Sequence, residues 1–359
     1  MASSFAGQQP SGLAGTSRVL APGDHYPWLV ADIGGTNARF GWVAGPGAPV
    51  ADVRKLPVAD HAGPVQTVQA YLAERVRQPG PGPNPDRRAP RHAAFAVATA
   101  VSGDRIAFTN SHWDFSRQQV QAALGLDRLL MLNDFESLAL SLPRLGALQL
   151  RGHGERLPGA GGLLAVVGPG TGLGVSAVVP TGQGWLALPG EGGHATLAAA
   201  DDLESALLAR VRQRHAHVSA ERLLSGIGLP VLHQALGEVQ GLVQGVAAPP
   251  LGAAEIIDGA LTGGDPLCGQ TIDLFCALLG SFAGNVALTL GARGGLYIGG
   301  GIVPRFADRF FASAFRQRFE AKGRFQGYLA AIPTALITDT LAALSGAALA
   351  IEQQLESRG

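Results

Sequence analysis

The stretch LVADIGGTNARFGWV, residues 29–43, carries an acid at the end of an apolar run and a bare turn directly after it. The acid is Asp32, and the turn runs from Gly34 to Asn37. Backbone N–H groups of such a turn can converge on an anion, and glycine lets the backbone approach phosphate oxygens without a Cβ in the way. A carboxylate beside phosphates suits Mg²⁺, directly or through water. The stretch predicts a magnesium–phosphate site, although a strand-end Asp can also bond its own turn.

A second bare turn, Gly170-Thr171-Gly172, stands in LLAVVGPGTGLGVSAVV. Neither turn is a Walker A loop, because no Gly-Lys-Ser/Thr follows. The second turn fits the loose dinucleotide fingerprint, but the residues after it have the periodicity of a strand. The helix N-terminus that would hold a pyrophosphate is therefore missing. Taken singly, each turn is more often structural. Their recurrence, with an acid in the first, favours two turns that grip a polyphosphate from both sides.

Five polar side chains follow in three other places. Asn133 and Asp134 stand where an apolar strand changes to helical period. Acids in that crevice of an α/β sheet are often catalytic, although Asp before an apolar helix is commonly an N-cap. Glu191 and His194 lie on a glycine turn, but the second histidine that a metal site would need is missing. Glu221 lies in the predicted first turn of a helix, where its charge could simply offset the helix dipole. Together these planar hydrogen-bonding groups are suited to reading sugar hydroxyls.

The elements that must position these residues alternate between strands and helices, which is typical of an α/β fold. In the first half we expect strands within residues 28–60, a helix over 64–77, a strand–turn–strand over 92–110, and a strand that becomes a helix at Asn133. A second half begins near Gly161 and repeats the strand–turn–strand pattern. Helices are predicted over 202–214, from Ser219 onward and over about 270–290, with a strand, a glycine turn and a helix start over 294–306.

Composition excludes several classes of function. A chain of 359 residues is more than one core usually holds, so two domains are expected. The formal net charge is zero without a basic block, which argues against a nucleic-acid partner. Residues 157–190 carry no charge, but Gly and Pro divide them into strand-length pieces, so no membrane span is predicted there. Cys268 and Cys276 are expected in a buried helix, which is consistent with a reducing cytoplasm. Residues 1–25 are expected to be a disordered arm, and they show no signal peptide.

As a set, the motifs DIGGTNAR, TNSHW, NDF, GPGTGLG, LPGEGGH, HVSAERLLSG and GGGIVPRF resemble those of the bacterial ATP-dependent glucokinases, of the hexokinase–actin–heat-shock superfamily. The resemblance covers roughly residues 26–351. It implies a cytoplasmic homodimer that transfers the γ-phosphoryl group of ATP, with Mg²⁺, to the 6-hydroxyl of D-glucose in glycolysis. It also implies an actin/hexokinase-like (ribonuclease H-like) fold with a cleft between two domains: a small α/β domain over 26–143 that includes a returning C-terminal helix over 340–358, and a large α/β domain over 144–339.

The resemblance assigns roles residue by residue. Asp134 matches the catalytic base, and Asp32 would face the metal. The glucose-binding positions are Asn133, Asp134, Glu191, His194 and Glu221. The nucleotide-binding positions are Asp32, Gly34, Gly35, Thr36, Asn37, Gly170, Thr171 and Gly172 at the phosphates, and Gly299, Gly300, Gly301 and Ile302 at the adenosine.

One departure separates the chain from a neighbouring family of repressor-type and sugar kinases, whose members carry a cysteine-rich zinc motif after the sugar-site histidine. After His194 this chain has no cysteine until Cys268, so no zinc is expected. The arm and the Pro/Gly loop over 78–90 are unlike a minimal glucokinase, but they bear no expected catalytic residue. Two alternatives stay open at this point: a kinase for mannose or fructose, and a non-catalytic sugar or nucleotide sensor.

Overall fold

The computed structural model describes residues 26–77, 88–108, 111–242 and 250–356. The arm over 1–25, residues 78–87 of the Pro/Gly loop, and Thr109 and Asn110 of the TNSHW motif lie outside the described residues. The described chain forms two large mixed sheets, a small two-stranded ribbon and eleven α-helices. The α/β class predicted from the alternating pattern is confirmed.

The first sheet has the strand order β3-β2-β1-β4-β7. β1 pairs antiparallel with β2 and parallel with β4, and β4 pairs parallel with β7, while β5 and β6 form the ribbon. The seven strands of this half are β1 (Trp28–Ile33), β2 (Asn37–Val43), β3 (Ala51–Pro57), β4 (His92–Val97), β5 (Arg105–Ala107), β6 (Asp114–Ser116) and β7 (Arg128–Asn133).

The second sheet has the order β11-β10-β9-β12-β13-β8. Its first five strands repeat the order and the directions of the first sheet, because β9 pairs antiparallel with β10 and parallel with β12, which pairs parallel with β13. The two bare turns therefore occupy equivalent places in the two halves. The strands are β8 (Leu150–Gly152), β9 (Leu164–Pro169), β10 (Leu173–Thr181), β11 (Gly184–Gly190), β12 (Gly295–Ile298) and β13 (Thr334–Ile337).

The helices cover both faces of each sheet. Their bounds are α1 (Pro64–Arg77), α2 (Arg117–Ala123), α3 (Asp134–Ser141), α4 (Asp202–Arg212), α5 (Gly228–Val239), α6 (Ala253–Thr262), α7 (Pro266–Leu290), α8 (Ala307–Ala312), α9 (Phe315–Glu320), α10 (Gln326–Ala330) and α11 (Ala342–Glu356). α1 and α2 pack on one face of the first sheet and α11 on the other. α3 packs against α11 and against the second sheet, so these two helices lie between the sheets.

Most of the predicted helices are present, but the predicted first residue of one helix is wrong. The helix expected from Ser219 begins only at Gly228, and residues 221–227 are turns. The N–H of Gly226 donates to the carbonyl oxygen of Gly170 at 2.8 Å, which holds this segment against the second bare turn instead of in a helix. Glu221 therefore lies on a turn, and the helix-dipole alternative for it does not apply.

α7 is the one described helix that is long and apolar enough to span a membrane, with a mean hydropathy of 1.6 in its most apolar window. The packing of α7 is that of a core helix, because 72% of that window is buried inside the protein. Both cysteines lie on α7 and are buried and free, as expected. α7 is the central core helix of the second half.

Candidate active site

The carboxyl ends of the parallel strands β1, β4 and β7 meet at one edge of the first sheet. Ile33 at the end of β1 aligns with Val97 of β4, which aligns with Asn133 at the end of β7. Neighbouring strands are about 4.8 Å apart, so the backbones of Ile33 and Asn133 lie roughly 10 Å from each other. The topology thus brings together two segments that are separated by about a hundred residues in the sequence.

The local structure at Asp134 excludes the alternative that this residue is only a helix cap. The N-cap of α3 is Asn133, whose Oδ1 accepts from the N–H of Phe135 at 2.9 Å, and Glu136 completes a capping box. Asp134 is the first residue of the helix, and its own Oδ1 also accepts from the N–H of Phe135 at 2.9 Å. The cap is therefore supplied by the neighbour, and Asp134 lines the cleft between the sheets.

Burial raises the pKa of Asp134 from its ordinary value to about 6. The N–H of Phe135 opposes this rise, and the negative charge of Asp32 adds to it. A carboxylate with this pKa is ionised at neutral pH and yet basic enough to accept a proton from a reacting hydroxyl.

Asp32 has a cationic partner that the sequence analysis did not single out. Nη1 of Arg39 donates to Oδ2 of Asp32 at 3.0 Å, because Arg39 lies directly opposite Asp32 in the β1–β2 hairpin. Burial raises the pKa of Asp32, and the charge of Arg39 opposes that rise. The signal was available in the sequence, since a hairpin closed at Gly35 and Thr36 must place residues 32 and 39 across from each other.

Each bare turn is closed by a backbone hydrogen bond, and the second turn is one residue shorter than the first. In the first, the N–H of Gly34 donates to the carbonyl oxygen of Asn37 at 2.9 Å, and in the second the N–H of Gly170 donates to that of Gly172 at 2.8 Å. Each is then held from outside, the first by the N–H of Val58 on the carbonyl of Thr36 and the second by the N–H of Gly226. The threonine of each turn is exposed at its tip.

A cleft of about 380 Å³ joins the acids to the glycines after β12. It is lined by Asp32 and Asp134 on one side and by Gly299–Gly301 on the other. Gly300 has φ +77, and a Cβ there would meet the carbonyl oxygen of Pro169, so only glycine fits. Thr338–Thr340, which follow β13, also line the cleft and were not singled out from the sequence. Ile302 donates its N–H to Pro169 at 3.2 Å.

The other three polar residues form a cluster beside the second turn. The ring of His194 lies between two carboxylates, with Nε2 3.8 Å from Oε2 of Glu191 and Nδ1 3.8 Å from Oε1 of Glu221. The side chain of Glu191 is 73% exposed and that of Glu221 only 32%. Oε2 of Glu221 accepts from the N–H of Leu173 at 2.9 Å, which ties this cluster to the end of the second turn.

Two groups stand out among the predicted site residues, and Asn133, Ile302 and the two bare turns are not part of the cleft lining. Asp32, Asp134 and the glycines after β12 share the cleft, while Glu191, His194 and Glu221 form the exposed cluster. Across the described parts of the chain, no hydrogen bond links that cluster to Asn133 or Asp134. Both groups nevertheless adjoin the same β9–β10 hairpin, the cluster through Leu173 and α3 through Phe135.

Away from the cleft, three possible metal ligands lie together where α5 meets the start of α7. Sγ of Cys268 is 3.7 Å from Nε2 of His233 and 3.4 Å from Oδ2 of Asp265. Oδ1 of Asp265 accepts from the N–H of Leu267 and caps α7. Hydrogen bonds within this group account for its geometry, and the expectation of no zinc stays a prediction.

Comparison with known proteins gives one consistent family. A family model described as Glucokinase matches residues 29–354. The glucokinase of Aromatoleum aromaticum is 49% identical over 334 residues, which cover 92% of this chain and 96% of the relative. That of Neisseria meningitidis serogroup B is 45% identical over 332 residues, covering 92% and 97%.

Solved structures agree in fold. A glucokinase from an Antarctic psychrotroph is 36% identical, has a TM-score of 0.81, and is matched over 91% of this chain and 98% of its own. A ROK family glucokinase from Streptomyces griseus, solved in complex with glucose and AMPPNP, is 18% identical with a TM-score of 0.58, over 93% and 100%. This second likeness extends to the fold alone.

Proposed function

This chain belongs to the glucokinase family and is a glucose kinase, and from that premise we propose that it transfers the γ-phosphoryl group of MgATP to the 6-hydroxyl of D-glucose with Asp134 as general base. The products are glucose 6-phosphate and ADP. The observation that carries the proposal is the shared cleft, in which a buried carboxylate with a pKa of about 6 faces the glycine-rich nucleotide side.

Asp134 performs the proton transfer. Its carboxylate takes the proton of the 6-hydroxyl as that oxygen attacks the γ-phosphorus and the bond to the ADP oxygen breaks. General-base catalysis contributes about 10²–10⁴-fold, so positioning and charge stabilisation supply most of the remaining acceleration. The N–H of Phe135 holds one oxygen of the carboxylate and fixes its direction.

The two bare turns hold the phosphates. We assign Gly34, Gly35, Thr36 and Asn37 to one side of the polyphosphate and Gly170, Thr171 and Gly172 to the other. The chain has only two lysines, Lys55 and Lys322, and neither lies at a turn. Backbone N–H groups therefore carry much of the phosphate charge, and Arg39 is a cation within the same cleft. Gly299, Gly300, Gly301 and Ile302 border the adenosine in this proposal.

The residues at the first turn fit a magnesium ion. Asp32 offers hard carboxylate oxygens at the cleft, and among the described residues only Arg39 hydrogen-bonds to its side chain, through Oδ2. Mg²⁺ is typically bound by one or two carboxylates together with phosphate oxygens and water. Asp32 would hold the ion, directly or through water. When bound, the ion neutralises charge on the phosphates.

Glucose is bound by Asn133, Asp134, Glu191, His194 and Glu221 in this proposal. The amide, carboxylates and imidazole supply both donors and acceptors, which a sugar's hydroxyl groups require. The glucokinases of Streptomyces griseus and Balamuthia mandrillaris, which share the fold of this chain, were solved in complex with glucose. Because the exposed cluster adjoins the β9–β10 hairpin and Asp134 begins α3 at the end of the first sheet, we propose that they close on the sugar together.

The domain boundaries follow from the same proposal. The small domain comprises 26–143 with the C-terminal helix expected over 340–358, and the large domain comprises 144–339. The structure gives this helix as Ala342–Glu356, and residues 357 and 358 lie outside the described residues. In support, α11 packs against β1 and β4 of the first sheet although it follows the second sheet in sequence. Closure of the two domains would exclude water, which otherwise competes with glucose as acceptor. A homodimer and a cytoplasmic location complete the proposal.

The test is glucose-dependent ADP release by the purified chain with MgATP, with mannose and fructose assayed in parallel. We expect turnover with glucose to exceed that with the other two hexoses. Equal or greater turnover with mannose or fructose would overturn the assignment of glucose. Glucose binding without turnover on any hexose would show a sensor that has the fold and the pocket but not the reaction.

A further inference from the structure

The ring of Phe135 covers a pair of glycines on the second sheet. Gly168 of β9 and Gly174 of β10 are direct cross-strand partners. A Cβ built on Gly168 would lie 2.5 Å from Cε1 and Cζ of Phe135, and one built on Gly174 would lie closer still to Cγ, Cδ2 and Cε2. No real Cβ fits at such distances, so the ring occupies the space that two side chains would otherwise fill.

This glycine pair lies at the base of the second phosphate turn. Gly168 is two residues before Gly170, and Gly174 is two residues after Gly172. Glycine weakens a strand interior and commonly marks a close approach by another group. Glycine at both members of a cross-strand pair, with an aromatic ring over them, is an arrangement in which the ring replaces the missing side-chain contacts.

The backbone of the same residue holds the acid. The N–H of Phe135 donates to Oδ1 of Asn133 and to Oδ1 of Asp134, both at 2.9 Å. The ring of Phe135 thus fixes the residue to the second sheet. Its N–H holds the side chains of Asn133 and Asp134. Phe135 therefore connects the carboxylate of Asp134 directly to the β9–β10 hairpin, which carries the second turn.

We propose that Phe135 is the positioning residue that sets Asp134 relative to the second phosphate turn, and that Gly168 and Gly174 are its seat. The inference rests on the proposed role of Asp134 as base. Phe135 itself does no chemistry: it fixes the distance between the group that takes the proton and the backbone of the second phosphate turn. Misplacement of a reacting group by about 1 Å costs on the order of 10²-fold in rate.

The test is a double-mutant cycle of Gly174→Ala and Phe135→Ala in the full chain. In the wild-type background, the new methyl group of Gly174→Ala must displace the ring, and we expect kcat with glucose to fall by about 10- to 100-fold. In the Phe135→Ala background the ring is absent, so the same methyl group should change kcat by less than about three-fold. Damage to the second sheet that does not arise from contact with the ring would not be relieved in this way.

Gly182→Ala is the matched control. Gly182 lies in the turn between β10 and β11, and a Cβ there meets nothing within 4 Å. This variant should keep kcat within about two-fold of wild type. Phe135→Leu, which keeps an apolar side chain but not a flat ring, should lie between wild type and Phe135→Ala and guards against failure of the alanine variant to fold.

Glucose affinity without ATP, measured by calorimetry, provides the second readout. The exposed cluster of Glu191, His194 and Glu221 does not depend on the ring, so the dissociation constant should change less than kcat does. Independent, multiplicative effects of the two substitutions would overturn the proposal, as would a Gly174→Ala variant with normal kcat. A wild-type chain without kinase activity would instead overturn the proposed function, which keeps the two failures distinct.

Discussion

At the scale of the residue, the site depends on how burial alters a single carboxyl group. Asp134 is the first residue of α3, but Asn133 performs the capping. The acid is thereby left to face a cleft in which desolvation raises its pKa to about 6. The same carboxyl group in water would be a weaker base for the proposed proton transfer.

Replacing Asp134 with Asn removes the base and keeps the shape of the side chain. We expect kcat to fall by about 10² or more, with the glucose dissociation constant within a few-fold of wild type. Steady-state kinetics and glucose calorimetry measure the two quantities. Asp308→Asn serves as control, since the side chain of Asp308 is 96% exposed. Near-normal turnover by Asp134→Asn would remove Asp134 from the role of base.

The pH dependence of turnover follows from the same group. Below a pH of about 6, Asp134 becomes protonated and cannot accept the proton of the 6-hydroxyl, so kcat/KM for glucose should fall about tenfold per pH unit. Between pH 7 and pH 8 it should be nearly constant. A pH profile of kcat/KM for glucose checks this. Full activity at pH 5 would contradict the assignment.

The raised pKa also affects stability. A carboxyl group with a folded-state pKa of about 6 and an unfolded value near 3.8 favours the folded state only when it is protonated. That contribution is fully present below a pH of about 4 and is lost as the pH rises through 6. Asp134→Asn should therefore increase the free energy of unfolding at pH 7 by up to about 3 kcal/mol. Thermal denaturation at pH 7 and pH 4 tests this, and an equal effect at both values would contradict it.

At the scale of the element, the second bare turn is held by contacts from distant parts of the chain. The N–H of Gly226 donates to the carbonyl oxygen of Gly170 in the turn. The N–H of Leu173, at the end of the turn, donates to Oε2 of Glu221. A side chain at Gly172 would displace the carboxylate of Glu221, because its Cβ would meet Oε2. The turn therefore keeps its shape only while the segment from Ser219 to Gly228 is packed against it.

Glu221 and Glu191 should consequently behave differently when each is replaced by Ala. Glu221→Ala removes the bond to Leu173 and loosens the turn, so we expect the KM for both ATP and glucose to rise by about tenfold. Glu191→Ala, whose side chain faces only His194 among the described residues, should raise the KM for glucose alone. Separate titrations of the two substrates measure this. An unchanged ATP KM in Glu221→Ala would show that the turn holds its shape without it.

At the scale of the whole molecule, α3 and α11 join the two sheets. The backbones of the two helices approach so closely at Gly346 that a Cβ there would meet the carbonyl oxygen of Ser137. The hydroxyl of Ser137 also donates to the carbonyl oxygen of Ala343 at 2.8 Å. The acid at the start of α3 is thus positioned by a helix from the far end of the chain.

Gly346→Ala should disturb that contact and lower stability by about 1–3 kcal/mol, because the backbone atoms of α3 cannot yield as a side chain can. Gly327→Ala is a matched control in α10, where a Cβ meets nothing within 4 Å; it should leave stability unchanged or slightly higher. Thermal denaturation of both variants measures the difference. A Gly346→Ala variant as stable as Gly327→Ala would contradict the close packing of the two helices.

The sequence by itself determined the α/β class, the two strand–turn–strand hairpins, the helix over 64–77 and the residues able to do chemistry, because these depend on local periodicity and on residue type. Tertiary structure alone decided the turn conformation of 221–227, the raised pKa of Asp134 and the packing of the Phe135 ring on two glycines. Each of these depends on which atoms from distant segments share a space and on how much water is excluded from it, and neither quantity is a property of a local stretch of sequence.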